Sequence, residues 1–483
     1  MGRAVTLDLD GSPKWSAVRA CVAGIGVAGF ASAKALALAG ASVIAVDRGT
    51  SAEHELLATR LRDVGAEVRL GDGDSLPEGV DLLVVSPGFP PNAPIIAQAL
   101  KRGVEVWGEL ELAWRLRGPG AAPWLAITGT NGKTTTCLML ESMLRAAGHR
   151  AIAAGNIGVS LVGAVVRGGL DVIAVEVSSH QLPFWHTVSP LAAVCLNVSA
   201  DHLDHFGTMD AYIATKARVF DRCQIAAVYN IADQATRRMA EAGALAPGCR
   251  VIGFGPRPPQ PGQLGVVDDH LVDRAFGGSA ADGVEIASLS DVRPFAPHNV
   301  ANALAAASLA RAFGIDEEAV GEGLRQFVPA RHRMADLGMV GDVRFVDDSK
   351  ATNVDAARTA LMAQEPVVWI AGGTAKGQDF DELVRDCADR MRGVVLLGAD
   401  RGLILEALRR HAPGIPVVEV RSTDTGAVGE VVAAAVDMAQ PGDTVLLAPG
   451  CASWDMFDDY AQRGDRFAEE VVNLREARGE SRD

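Results

Sequence analysis

One stretch constrains this chain more than any other: an apolar run that breaks into a glycine turn and restarts as a helix. In AITGTNGKTTT (126–136), Ala126 to Thr128 suit a buried strand, Gly129 and Gly132 a tight turn, and Lys133, Thr134 and Thr135 a first helical turn. Backbone N–H groups at such a helix start, reinforced by its dipole, cradle phosphates. Lys133 is expected to neutralise β/γ-phosphate charge, and the Thr134 hydroxyl to meet Mg²⁺. The strict G-x-x-x-x-G-K-[ST] pattern fails, because Ile127 stands where its first glycine belongs; Gly129 and Gly132 form a shorter variant. A strand before and a helix after the turn read as a nucleoside-triphosphate site.

The rest of the chain repeats this α/β grammar. RACVAGIG (19–26), ASVIAVD (41–47) and DLLVVSPG (81–88) are Val- and Ile-rich runs that suit buried parallel strands. A Gly/Pro-rich break, RGPGAAP (117–123), precedes a second series that includes LDVIAVEVSS (170–179) and LAAVCLNVS (191–199). GPRPPQPGQLG (255–265) reads as a loop, and HNVANALAAASLARAFG (298–314) as a long helix. VRFVDDS, VVWIAGGT, GVVLLGA and DTVLLAPG form a third series. With 483 residues and about 100–200 per domain, three α/β domains are expected: 1–115, 116–328 and 329–483.

Composition narrows the function classes. The formal charge is −15 and aromatics are 5%, so neither a basic phosphate-coating face nor a base-stacking platform is expected, and nucleic acid is a poor partner. An acidic chain must gather cations in local loops if its substrates are anions. The seven cysteines are scattered without a C-x-x-C, which fits a reducing cytoplasm. No signal peptide is expected, because MGRAVTLDLDG lacks a basic start and apolar run, and no membrane span, because glycines divide residues 20–46 into strand, turn, helix and strand.

Several further clusters fall at strand ends, where ligands of α/β sheets gather. Gly24-Ile-Gly26-Val-Ala-Gly29 matches the dinucleotide fingerprint, with Asp47 ending the next strand. Taken alone it suggests an NAD-dependent dehydrogenase, yet such turns bind other nucleotides or merely pack helix on strand. Glu176 ends an apolar strand and is a candidate to meet the metal of the glycine turn, or a carboxylate satisfied by a neighbouring helix. Asp201, His202, Asp204 and His205 lack zinc-protease spacing. Lys216 sits on an amphipathic helix pattern, whose ordinary reading is a solvated lysine. FVDDSKATN (345–353), AGGTAKGQDF (371–380) and APGCASWDMFDDY (448–460) carry Lys350, Lys376 and hydroxyls at three strand ends, a set suited to a small carboxylate.

GTNGKTT, EVSSHQL, NVSADHLDHFG, HNVAN, DDSKATN, GGTAKGQDF and APGCAS, together with SPG (86–88) and GELELAW (108–114), resemble the Mur ligases of peptidoglycan synthesis over nearly the whole chain. The resemblance implies a Rossmann-like UDP-binding domain, a central P-loop ATPase-type domain and a C-terminal Rossmann-like domain. It also implies a cytoplasmic monomer that uses ATP and two Mg²⁺ ions to add D-glutamate to UDP-N-acetylmuramoyl-L-alanine through an acyl phosphate. The nearest alternatives are a ligase of the same fold adding another amino acid and, more distantly, a folylpolyglutamate synthetase.

Residue by residue, the resemblance implies that Gly129, Thr130, Asn131, Gly132, Lys133, Thr134 and Thr135 hold ATP, with Asn302, Arg333 and Asp348 as further contacts. Thr134 and Glu176 match ligands of one Mg²⁺. His202 and Lys216 match ligands of the other, with Lys216 carrying a CO₂-derived carbamate. Lys133, Glu176, His202 and Lys216 are therefore the implied catalytic set. His202, Lys350, Thr352, Lys376, Ser453 and Tyr460 match the D-glutamate site, although the family can carry Phe where Tyr460 stands. Gly26, Val27, Ala28, Asp47, Arg48, Gly88 and Asn156 fall where UDP and its sugar bind. Two departures stand out: the order Arg48-Gly49-Thr50 where Thr-Arg follows the Asp, and His180 in a place of Phe.

Overall fold

The computed structural model describes residues 14–201, 203–276, 283–422 and 424–479, and the side chains of all but 203 and 204 among them. The chain divides into two compact units, residues 1–295 with 299–327 and residues 296–298 with 328–483. Among the described residues the first unit carries a five-stranded and a nine-stranded sheet, and the second a six-stranded sheet.

The first sheet contains β1 (Arg19–Ala23), β2 (Ser42–Asp47), β3 (Glu67–Leu70), β4 (Leu82–Val85) and β5 (Glu105–Gly108), in the order β3-β2-β1-β4-β5. Its pairings are all parallel. After β3 the chain crosses to the other side of β1, so β1 and β4 flank a switch point where a crevice opens outside the strand ends. The Gly24 turn follows β1 and the Ser86–Gly88 turn follows β4. Ser86 Oγ ties the two by donating to Gly24 O at 3.2 Å. The strands β3 and β5 were not legible in the sequence, since EVRL and EVWG carry charged residues and lack the apolar run that marks β1, β2 and β4.

The second sheet is built from β6 (Trp124–Thr128), β7 (Ala151–Gly155), β8 (Val172–Glu176), β9 (Ala192–Cys195), β10 (Ala226–Asn230) and β11 (Arg250–Phe254), followed by β12 (Gln263–Val267), β13 (His270–Asp273) and β14 (Val284–Ser288). The order is β14-β13-β12-β11-β10-β9-β6-β8-β7. The strands from β6 to β12 pair in parallel, whereas β12, β13 and β14 form an antiparallel extension. This corrects the loop reading of 255–265: its last three residues open β12, because prolines fill only the preceding turn and leave Gln263 onward free to pair. The Ala-rich pattern is the helix Pro297–Phe313, nearly all buried, as small side chains permit. Asp273 at the end of β13 is fully buried and receives Arg311 Nε from that helix at 2.9 Å.

One apolar cluster runs from the first sheet into the second, joining Trp107, Leu110 and Leu112 to Trp124, Leu182 and Trp185. Trp114 and Trp124 meet edge to face at 5.0 Å. Buried Glu111 accepts from the backbone N–H of His186 and of Thr187, each at 2.9 Å, and Arg115 closes the charge. Those bonds outweigh the burial that would otherwise raise its pKa, so its carboxyl lies below the ordinary value and stays ionised.

The second unit holds β15 (Ala335–Val340), β16 (Val343–Asp347), β17 (Val367–Gly372), β18 (Met391–Leu397), β19 (Val417–Glu419) and β20 (Thr444–Leu447), in the order β15-β16-β20-β17-β18-β19. Among the described strands of this sheet, only β15 runs antiparallel to its neighbour. The third series opens in the sequence reading at VRFVDDS; a hairpin leading into β16 adds the edge strand before it. No described helix is long and apolar enough to cross a membrane.

Gly29 sets how closely the first helix, Val27–Leu38, lies on the β1 turn: a Cβ there would stand 1.8 Å from Gly24 O. Backbone oxygen cannot yield as a side chain does. Gly29→Ala is expected to destabilise the first unit by about 1–3 kcal/mol, read as an earlier urea transition. An unchanged midpoint contradicts this account.

Candidate functional site

The glycine turn after β6 is fixed before any ligand arrives. Gly129 has φ +155° and Gly132 φ +83°, and a Cβ at Gly132 would lie 2.4 Å from Asn302 Oδ1. Asn302 therefore sits directly against the turn, anchored by its own bond to Asn299 Oδ1 at 3.2 Å. From the strand-end loop after β9, Asn197 braces the turn on both sides. Its Oδ1 accepts from Asn131 N at 2.8 Å and its Nδ2 donates to Asn131 O at 3.1 Å. Thr130 N donates to Asn197 O at 3.0 Å, and Thr130 Oγ1 meets Tyr212 Oη at 3.2 Å. Asn197 received no role from the sequence, although it opens the NVSADH motif.

Cationic and anionic groups converge on this turn. Lys133 Nζ curls back to donate to Gly129 O at 2.9 Å and Thr130 O at 2.8 Å. Thr134 Oγ1 donates to Glu176 Oε2 at 2.7 Å, and Asn156 Nδ2 to Glu176 Oε1 at 3.0 Å. Thr135 continues the helix Lys133–Ala146. Glu176 is 2% exposed at the end of β8, beside β6 in the sheet. Thus the hydroxyl and carboxylate suited to a divalent cation already touch.

Lys216 overturns the solvated reading. It is 1% exposed, its Nζ donates to Gly129 O at 2.9 Å, and it lies 4.6 Å from the centre of the Tyr212 ring. Burial, with Lys133 nearby as a second cause, pulls its pKa from 10.5 down to about 7. His202 lies outside the described residues. His180 joins an aromatic file: its ring is 4.5 Å from His205 and 5.8 Å from Phe206, which in turn stands 5.3 Å from Tyr212.

A cleft of about 190 Å³ opens in the same unit between Val27, Ala28 and Pro87 on one side and Asn156, Ser160 and Gln181 on the other. Gly26 caps the helix whose first residues line it. Asp47 is already engaged, its carboxylate accepting from Ile25 N and Gly49 N at 2.7 Å each, so it braces the glycine turn. Exposed Arg48 pairs with Asp74 and lies 5.8 Å from the Phe89 ring, next to Gly88. Two lining residues were missed by the sequence. Glu109, 3% exposed, accepts from Ser160 Oγ at 2.7 Å and Leu161 N at 2.9 Å, and burial raises its pKa. Gln181 spends Oε1 on Ser178 while its buried Nε2 finds no partner among the described residues. An orphaned buried donor lining a cleft is a ready hydrogen bond for a ligand.

In the second unit, β16, β20 and β17 are adjacent parallel strands, so the loops at their C-terminal ends meet. Gly450 N donates to Ala351 O at 2.8 Å, and Thr374 and Ala452 exchange backbone bonds of 2.8 and 2.9 Å. These loops carry Lys350 with Thr352, Lys376, and buried Ser453. Lys350 Nζ lies 3.8 Å over the Tyr460 ring, and Lys376 holds φ +54°. Arg463, 2% exposed, donates to Ser349 Oγ, Ser349 O and Cys451 O, and so laces two of the loops from beneath. Sequence reasoning assigned it no role. Burial pushes the Asp348 carboxyl up to about 7, against the pull of Arg333.

Comparison with known proteins follows this geometry. Residues 127–310 match the Mur ligase middle domain, and residues 332–451 the Mur ligase glutamate ligase domain. The UDP-N-acetylmuramoylalanine--D-glutamate ligases of Streptomyces avermitilis and Streptomyces coelicolor are each 53% identical, covering 95% of this chain and 99% of theirs. A UDP-N-acetylmuramate-alanine ligase from Thermotoga maritima superposes with a TM-score of 0.59 at 18% identity, covering 94% of this chain and 99% of its own, a likeness of fold alone.

The buried lysine gives a pH signature in nucleotide-free protein. Below about pH 7 the ammonium is present in both folded and unfolded chains, so the folded state bears the whole burial cost. As pH rises toward the ordinary lysine value, only the unfolded chain keeps the proton, and stability climbs. Lys216→Met should then be more stable than the parent at pH 6–7, by about 2–4 kcal/mol, with the difference shrinking toward pH 10. A less stable variant at pH 6 contradicts the assignment.

Proposed function

The chain belongs to the Mur ligase family, and from that premise we propose that it joins D-glutamate to UDP-N-acetylmuramoyl-L-alanine at the expense of ATP, in cytoplasmic synthesis of peptidoglycan precursor. The observation that carries the reading is the cluster of Lys133, Thr134, Glu176 and buried Lys216 on one glycine turn, in a chain 53% identical to ligases of that name.

The expected domain roles are UDP-substrate binding by residues 1–115, ATP binding by 116–328 and amino-acid binding by 329–483. The crevice at the β1/β4 switch point suits the UDP-sugar, with Asn156, Glu109 and Gln181 on its wall. Lys133 and the turn's N–H groups neutralise the triphosphate while the substrate's alanyl carboxylate attacks the γ-phosphoryl group, forming an acyl phosphate and releasing ADP. The D-glutamate amine then attacks the acyl phosphate, and inorganic phosphate leaves. Catalysis is charge neutralisation and positioning, with no protein nucleophile. Lys350, Thr352, Lys376, Ser453 and Tyr460 are the residues assigned to the glutamate, and Asn302, Arg333 and Asp348 to the nucleotide.

Thr134 Oγ1 and Glu176 are hard oxygen donors in contact, which fits Mg²⁺. When bound, Mg²⁺ supplies neutralisation of the phosphate oxygens. For the second ion, His202 and a carbamate on Lys216 are the assigned ligands. A lysine whose pKa is drawn down to about 7 offers a neutral amine with a free lone pair that can add CO₂, releasing a proton and leaving an oxygen-bearing anion.

Phosphate release with ATP and UDP-N-acetylmuramoyl-L-alanine tests the reaction: D-glutamate should support it far better than L-glutamate or other amino acids, and equal rates with L-alanine would sink the reading. Lys216→Ala should lose nearly all ligase activity and regain part of it with a short carboxylic acid at high concentration. A fully active alanine variant refutes the carbamate.

A further inference from the structure

Cys223 and Cys249 lie far apart in sequence but side by side at the start of β10 and β11. Ala226 and Arg250 are direct register partners across these two parallel strands. Cys223 Sγ donates to Ala226 O at 3.2 Å and Cys249 Sγ to Arg250 O at 3.8 Å, so each sulfur rests against one member of that pair. The turn between the strands tightens the approach, with Ala246 N donating to Cys223 O at 3.0 Å. Both thiols are unlinked. Of the chain's seven cysteines, six are buried and Cys249 is the partly exposed one.

We propose that Cys223 and Cys249 form a site of reversible thiol modification, in which Cys249 accepts a low-molecular-weight disulfide and Cys223 resolves it into an intrachain disulfide. The Cys249 thiolate attacks one sulfur of the small disulfide, forming a mixed disulfide and expelling one thiol. Cys223 then loses its proton and attacks Cys249 Sγ, and the second small thiol leaves. Two protein thiols are oxidised and one disulfide molecule is reduced to two thiols, so the exchange balances.

Exposure and polarity divide the roles in the same way. The neighbouring Cys223 thiol, and Arg250 more weakly, lower the Cys249 pKa, whereas Cys249 and burial raise that of Cys223. The more exposed sulfur is thus also the better nucleophile. The closed link spans β10 and the helix Gln234–Ala242. It lies at the start of the parallel strands, while the glycine turn at 129–132 follows the end of β6, so the modification does not touch the nucleotide-binding turn. The inference is independent of which amino acid the enzyme adds.

The test uses the folded full chain and oxidised glutathione without denaturant, followed by intact mass and non-reducing peptide mapping. The parent should lose two hydrogens and yield a Cys223–Cys249 peptide pair, restored by dithiothreitol. Cys223→Ser should stop at one glutathionyl group on Cys249, and Cys249→Ser should stay unmodified. A parent protein that retains glutathione on Cys249 with Cys223 free, that reacts first at another cysteine, or that reacts only after denaturation overturns the proposal.

Discussion

Two lysines share one carbonyl oxygen, and the central site depends on that arrangement. Lys133 and Lys216 each place Nζ 2.9 Å from Gly129 O. Burial first, and the Lys133 charge second, draw the Lys216 pKa down to about 7, so that its neutral amine is readily reached near neutral pH. Gly129 can offer its oxygen to both because its φ of +155° turns the strand end in a way side-chain-bearing residues rarely adopt. Glu176, engaged by Thr134 and Asn156, keeps the opposite charge within the same cluster without neutralising Lys216 directly.

That cluster is held by packing that reaches into the first sheet. Asn156 touches Glu176 and also lines the cleft against Val27 and Ala28. Glu109 and Glu111, both on the short helix Glu109–Arg115 after β5, bond to backbone at Leu161 and at His186 and Thr187. A carboxylate that satisfies buried N–H groups removes two penalties together, its own desolvation and that of the donors. The Trp114–Trp124 contact then spans the Gly/Pro-rich break at 117–123, which the sequence marks as a boundary. A compositional break is therefore no measure of how firmly its two sides pack.

Legibility followed chemistry and run length. The glycine turn, Glu176 and the long Ala-rich helix announced themselves through local pattern, because phosphate loops and buried parallel strands demand particular residues in sequence order. The strands β3 and β5 and the additions β12–β15 did not, since four to six residues of pairing, with polar residues among them, leave little periodicity. Gln263 shows the limit well: it belongs to a proline-rich stretch, yet only the prolines before it are barred from the ladder.

By itself, the sequence determined the fold class, the family motifs and the residue types at the phosphate turn, because these are fixed by neighbours along the chain. Only the tertiary structure decided what the groups do to one another. The register of β10 on β11 makes Cys223 and Cys249 a pair. The packing of the helix Met209–Ala217 turns an apparently solvated lysine into a buried one whose pKa is drawn down to about 7. The physical reason is that burial and charge coupling depend on distance through space, and residues 87 positions apart, such as Gly129 and Lys216, acquire a distance only when the sheet closes around them.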